Sequence, residues 1–296
     1  MVTVNKKDHI MNRLFLLLFT SFTLISGISI SQAQNVPKHA KGLIETLISI
    51  DLANGKKQVG VLSIKIGEKK PSRLAVLLPG HPSVVRPVVK NNVMIRSELT
   101  RNFLIRARRH LADKKIATLI VDCLSEIGPL CESSYQSSKE REEDVQKLIA
   151  QAKIKFPTID QVWLVGTSMG TISSSFMPVY NPNAYAGAIH TASITEPEER
   201  NSLYEIIDGF DYKKSGVPQF FIHHEDDPCE LTTYSGAKYI SKEFNIPLIT
   251  VKGGSRFRGK PCSPFTQHGF RGKEKKVMIN IGNIIKTGKA GQLQID

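Results

Sequence analysis

The sequence predicts an α/β fold: a mostly parallel central sheet with helices on both faces. Three observations predict it. From residue 73 onward, short apolar runs alternate with helix-patterned segments, the order that builds a parallel sheet. The central runs "RLAVLL", "IATLIV" and "VWLVG" are nearly continuous in apolar residues, as burial on both faces requires. No repeat, low-complexity tract or Pro/Gly/Ser-rich linker divides residues 34–296, so one domain is expected there.

Residues 1–33 read as an export signal, not as part of the fold. Lys6, Lys7 and Arg13 precede the apolar run "LFLLLFTSFTLISGISI", and small residues stand at Ser31 and Ala33. A basic head, an apolar middle and a small-residue cleavage site mark a secretory signal peptide. The run is broken by Thr, Ser and Gly and is marginal for the roughly 20 apolar residues of a bilayer span. An uncleaved anchor is therefore the rival, and no permanent membrane span is expected. Periplasmic or secreted localisation follows.

The chain then opens with two strand-like runs, "GLIETLISIDLA" and "QVGVLSIKIG", joined by a turn at "NGKK". "RLAVLLPG" is a buried strand. "LTRNFLIRARRHLADK" reads as an amphipathic helix with Phe103, Leu104, Ala107 and Leu111 on one stripe. "IATLIVDC" is the next strand, and "SSKEREEDVQKLIAQAKIKF" a helix whose early acids and late lysines match the helix dipole. "QVWLVGTS" leads into the helix "MGTISSSFMPVY". The strands "AYAGAIHTAS" and "VPQFFIHH", the helix "TYSGAKYISKEF", the strand "IPLITVKG" and the helix "KEKKVMINIGNIIKTG" complete the series. In such sheets a ligand crevice lies beyond the carboxyl ends of the strands.

The 296 residues, 41% of them apolar, carry 40 Lys+Arg against 27 Asp+Glu. Loss of residues 1–33 removes three basic and one acidic residue and leaves a net charge of +11. That excess favours anionic surfaces or substrates, an anionic envelope polymer among them. No nucleic-acid motif accompanies it, so no nucleic-acid partner is expected. The clusters at residues 105–110 ("IRARRH") and 273–276 ("KEKK") read as solvated helix faces. Cys123, Cys131, Cys229 and Cys262 allow three connectivities. The short loop "CLSEIGPLC" favours Cys123–Cys131, leaving Cys229–Cys262, as disulfides in an oxidising compartment. A zinc site is the rival, without a C-x-x-C pair to nucleate it.

Chemistry is signalled at three strand ends. Ser168 stands in Gly166-Thr167-Ser168-Met169-Gly170, after a strand and before a helix. A nucleophile on so sharp a turn needs small residues two positions to either side. The N–H of Met169 would lie at a helix N-terminus, where an oxyanion is favoured. "QFFIHHEDDPC" releases Asp226 and Asp227 from a strand end, where a carboxylate can orient a histidine. "CSPFTQHGF" then carries His268. The order Ser, Asp, His is the one used on this sheet topology.

With these residues the chain resembles the α/β-hydrolase superfamily from about Gly42 to about Lys286. "NFLIRAR", "GTSMGTIS", "HHEDDPC" and "HGF" make it similar to exported bacterial serine hydrolases of undefined substrate. The resemblance implies an α/β-hydrolase fold, a serine esterase activity without cofactor, and Ser168, Asp227 and His268 as catalytic residues. The family's H-G-x-x-D aligns with His223-His224-Glu225-Asp226-Asp227, where His224 replaces glycine; Asp226 is the fallback acid. By position, the loop Pro79-Gly80-His81-Pro82 supplies the second oxyanion donor, the N–H of His81, since proline has none. A Cys229–Cys262 bridge would tie the acid loop to the histidine loop.

Other readings bound this one. His223 and His224 point to opposite faces of a strand and share an ion poorly, so no metal is expected. His190 is a core residue or a pocket residue, Trp163 a core residue, and Asp122 and Glu126 pocket candidates without a task. No large lid is expected; residues 195–211 are the one short candidate cap. A non-catalytic binding or scaffold protein on the same fold, or a protein that docks on envelope polyanions, is the alternative function.

Overall fold

The computed structural model describes residues 36–53, 55–125, 127–196 and 207–296. The expected signal peptide, Glu126 and most of the candidate cap lie outside the described residues. Residues 36–296 form one compact unit.

Strands β1 (Leu43–Asp51) and β2 (Lys57–Lys65) form an antiparallel hairpin. Then follow β3 (Arg73–Leu78), β4 (Val88–Lys90), β5 (Val93–Arg96), α1 (Phe103–Ala107), β6 (Ile116–Leu124), α2 (Ser133–Gln136) and α3 (Lys139–Lys155). The second half holds β7 (Gln161–Ser168), α4 (Gly170–Tyr180), β8 (Gly187–Ser193), β9 (Gln219–His224), α5 (Tyr234–Phe244), β10 (Leu248–Val251), α6 (Glu274–Thr287) and β11 (Gln294–Ile295). The main sheet has nine strands in the order β1-β2-β6-β3-β7-β8-β9-β10-β11. It is antiparallel at β1–β2 and β2–β6 and parallel from β6 onward.

Alternation along the central strands fills both faces. Ala75, Leu77, Trp163 and Val165 pack with Phe103 and Leu104 of α1 and Val277, Met278 and Ile281 of α6. Leu74, Val76, Val162 and Leu164 pack on the other face with Val145, Leu148 and Ile149 of α3. The chain leaves β3 for β6 on one side and returns across it to β7 on the other. That reversal opens a crevice at the carboxyl ends of β3 and β7.

Several elements differ from expectation. The helix expected over 99–114 is five residues long before a 3-10 turn at Arg108–His110. Asn102 is its N-cap, accepting the Leu104 N–H at 3.0 Å, so the chain before it cannot be helical. The solvated reading of "IRARRH" is overturned: Arg108 is fully buried against Glu45 of β1, 2.8 Å away, both side chains 0% exposed. Of "KEKK", Lys275 and Lys276 are exposed, whereas Glu274 is half-buried against Arg106. The β4–β5 ribbon turns at Asn91-Asn92, both at positive φ, a pair suited to a type I′ hairpin. β11 extends the sheet beyond β10.

Two core histidines are expected to make the fold acid-sensitive. His190 Nε2 meets Gln219 Oε1 at 2.7 Å and Nδ1 meets Ser174 Oγ at 2.8 Å. His223 Nε2 accepts the Ser193 N–H at 2.8 Å. Burial, the largest cause in each case, pushes both imidazoles down to about 4. Their folded pKa lies below the unfolded value near 6.5. Between those values the unfolded chain binds more protons, so stability falls as pH falls. From pH 7 to 5.5 the two are expected to cost about 2–3 kcal/mol together, read as a drop in urea midpoint that His190→Gln reduces.

Candidate active site

Ser168 ends β7 at a φ of +52°, a left-handed backbone held by a non-glycine residue. Such strain persists where the surroundings over-determine it and marks functional turns. Those surroundings are crowded. A methyl group built on Gly166 would meet Ser174 Oγ and Gly170 O, and one on Gly170 would overlap the carbonyl oxygens of Leu78 and Pro79. Glycine is therefore required on either side so that α4 can start against the end of β3. Thr171 Oγ1 donates to Ser168 O at 2.6 Å and fastens the turn from inside α4.

Asp227 lies in the turn that follows β9. Its Oδ1 accepts the Cys229 N–H at 3.0 Å, and its Oδ2 accepts from Thr232 Oγ1 at 2.9 Å. The same Oδ2 lies 3.1 Å from His268 Nδ1, the carboxylate side chain being 0% and the imidazole 8% exposed. Thr232 Oγ1 also stands 3.0 Å from His268 Nδ1. With its hydroxyl hydrogen on Asp227, Thr232 accepts part of the Nδ1–H, and the tautomer with Nε2 free is fixed from two sides. Asp226, the fallback acid, is exposed, and its N–H donates to His224 Nδ1; the structure puts Asp227, not Asp226, against the imidazole. His224 donates from Nε2 to Gly253 O at 2.6 Å. It takes the place of the family's glycine by tying the acid turn to the segment after β10.

His268 sits in the 3-10 turn Gln267–Gly269, capped by Thr266. Phe270 at φ +55° turns its ring edge-to-face onto Phe103 of α1, with centroids 4.9 Å apart. Arg106 of α1 donates to Gly269 O at 2.6 Å. Two of the sequence landmarks, "NFLIRAR" and "HGF", are thus one packed unit that fixes the imidazole loop.

The loop after β3 is fixed in turn. Ser83 N–H and Oγ donate to Gly80 O and Pro79 O, both at 2.8 Å. Asp122 at the end of β6 accepts the N–H groups of Val85 (2.6 Å), Arg86 (2.8 Å) and Cys123 (2.8 Å). Burial raises its pKa, and the three N–H bonds act in the opposite direction. Asp122 is therefore a brace for the His81 loop, and it does not line the cavity that holds Ser168 and His268. The Cys123–Cys131 disulfide closes the same corner, with Cys131 N–H donating to Pro82 O at 2.9 Å. Gly80 lets the loop press on Ser168: a methyl group there would lie 2.8 Å from the Ser168 Cβ. The N–H groups of His81 and Met169 take no part in the hydrogen bonds of the described loops around them.

Gly80, His81, Ser168, His268 and the Cys229–Cys262 disulfide all line one cavity of about 500 Å³. A larger cavity, about 1320 Å³, opens near the starts of β9 and β10 and holds none of these residues. The disulfide closes a loop of 33 residues between the acid turn and the imidazole loop. The Cys229→Ser/Cys262→Ser variant is expected to lose roughly 3–4 kcal/mol by loop entropy. Looser loops are expected to lower kcat about tenfold as well, measured at a temperature where the variant is still folded.

The remaining candidates separate cleanly. His190, His223 and Trp163 are buried core residues. Among the described residues no three His, Cys, Asp or Glu side chains are grouped to hold a metal ion, and no helix is long and apolar enough to cross a membrane. Thr232 and Arg106 escaped the sequence reading. Thr232 had a signal in its distance of five residues from Asp227, within reach of the same turn; Arg106 had one in its place within the landmark "NFLIRAR".

The nine-stranded order, the strained serine at the β7–α4 turn and the flanking loops define the α/β-hydrolase fold. Solved structures agree. The chain is similar to Est1E from Butyrivibrio proteoclasticus (13% identity, 81% of this chain and 97% of that one, TM-score 0.53). It is also similar to a fungal esterase from Rhizomucor miehei (15%, 84% and 85%, 0.53) and to a cold-adapted esterase from an Arctic intertidal metagenomic library (12%, 83% and 95%, 0.52). At these identities the likeness is one of fold. No protein-family model and no curated protein matches the chain.

Proposed function

We propose that the chain is an exported serine hydrolase that cleaves an ester of a small or surface-presented acyl substrate. One observation carries the reading: a serine in strained left-handed backbone shares a cavity with an imidazole whose Nδ1 is held by a buried carboxylate. His268 Nε2 takes the Ser168 proton as Oγ attacks the carbonyl carbon. Asp227 stabilises the imidazolium, and the N–H groups of Met169 and His81 hold the oxyanion. His268 then protonates the leaving alcohol, and water, activated by the same imidazole, releases the acid from the acyl-enzyme. The esterase names of the structural neighbours support an ester as substrate. The two disulfides support a periplasmic or secreted site of action. A fluorophosphonate probe tests the reading: stoichiometric labelling that disappears in Ser168→Ala is expected. A folded wild-type chain that takes up no label would leave the scaffold alternative instead.

A further inference from the structure

Part of the basic excess gathers beside the site. A second cavity, of about 430 Å³, is walled by Lys38, Arg101, Arg106, Arg109, Arg271 and Lys275, with Glu274 as its only carboxylate among the described residues. Arg101 belongs to the walls of both cavities. Phe265 gives the second one an apolar side around which guanidinium groups gather. The central carbons of Arg271, Arg106 and, from the neighbouring loop, Arg258 lie 5.2, 5.3 and 4.8 Å from its centroid.

Glu274 is already occupied. Its Oε1 lies 3.2 Å from Arg106 and 3.4 Å from Arg271, and its Oε2 accepts the Gly272 N–H at 2.8 Å. Arg106 is occupied too, by Arg101 O, Gly269 O and Glu274. Arg101, Arg109 and Lys275 form no ion pair among the described residues. Clustering cations around a cavity with one neutralising acid costs self-repulsion. An anion of more than one charge relieves that repulsion best. A carboxylate supplies one charge, whereas a phosphate monoester supplies nearly two, on oxygens that match the guanidinium fork.

We propose that this cavity is a phosphate subsite, and that the substrate is an acyl ester bearing a phosphate group on the part that extends past Arg101. The substrate assignment rests on the serine-hydrolase reading; the anion site rests on the cavity. The reaction is unchanged: the ester C–O bond breaks, water supplies hydroxyl to the acyl carbon and a proton to the alcohol, and the phosphate is untouched.

Two measurements test it. Titration of phenyl phosphate into the Ser168→Ala protein is expected to show one site, weakened tenfold or more in the further Arg109→Ala/Lys275→Ala variant, with the melting temperature as folding control. With active protein, 4-acetoxyphenyl phosphate is expected to exceed 4-methoxyphenyl acetate in kcat/KM at least tenfold, through KM. Arg109→Ala/Lys275→Ala is expected to bring that ratio within about twofold of one. A ratio unmoved by the variant, or equal loss on both esters, would overturn the proposal. So would binding to phosphatidylglycerol vesicles without binding of phenyl phosphate, which would indicate a diffuse charged face. Single-site phenyl phosphate binding by a wild-type chain that hydrolyses neither ester would remove the hydrolase reading and the substrate assignment and leave an anion-binding protein.

Discussion

Ser168→Ala is expected to lower kcat for a short p-nitrophenyl ester on the order of 10⁶-fold, with KM nearly unchanged. In the proposed mechanism the substrate keeps its cavity and the oxyanion donors keep their places, since those assigned to Met169 and His81 are backbone N–H groups that the side-chain change leaves alone. Only the attacking oxygen is lost. His268→Ala is expected to cost about as much, and the double variant no more than either, because nucleophile and base act as one unit. Asp227→Asn is expected to cost about 10⁴-fold by admitting the wrong imidazole tautomer. Asp226→Asn should stay within about twofold, its side chain being exposed and off the imidazole. Steady-state kinetics beside an active-site titration make the comparison. A Ser168→Ala protein that retains more than about one percent of the wild-type rate, free of contaminating esterase, would sink the assignment.

Whatever had a local cause was legible in the sequence. The parallel strands were visible because burial on two faces forces continuous apolar runs, and the serine turn because its crowding admits only glycine at 166 and 170. Strand ends and chain order brought out His268 and the pair Asp226 and Asp227; the choice of Asp227 within that pair came from the family resemblance. The hidden features depend on partners far away in sequence. Nothing near Asp122 shows that it will receive the N–H groups of Val85 and Arg86. Thr232 looks like any loop threonine until His268 arrives 36 positions later. The start of α1 depends on Asn102 acting as a cap and its early end on the 3-10 turn at Arg108–His110, where the apolar stripe through 111 argued for a longer helix. The cationic wall reads as scattered charge, because residues 38, 101–109 and 271–275 meet only in the fold.

Arg108 is the sharpest case of that blindness, and its replacement carries the largest stability effect expected. Glu45 Oε1 receives Arg108 Nε at 3.0 Å, Arg108 Nη2 at 2.8 Å and Ser63 Oγ at 2.8 Å, while Oε2 receives the Met94 N–H at 2.7 Å. Arg108 Nη1 donates to Ile105 O at 2.6 Å. Each charge is buried and satisfied by the other, so removing one strands its partner. Arg108→Met and Glu45→Gln are each expected to cost about 3–5 kcal/mol in urea unfolding at pH 7. The Glu45→Gln/Arg108→Met double variant is expected to cost less than either, since the glutamine oxygen still accepts from Ser63 or Met94 and no lone charge remains. His39 reports on the same change from beside the pair. Burial first, then the Arg108 charge, push its imidazole down to about 4, against a smaller upward pull from Glu45. Arg108→Met should therefore raise the His39 pKa, readable by proton NMR. Additive losses in the double variant would mean that the two side chains contribute by packing, and that the charges have little to do with holding β1 to the α1 end of the molecule.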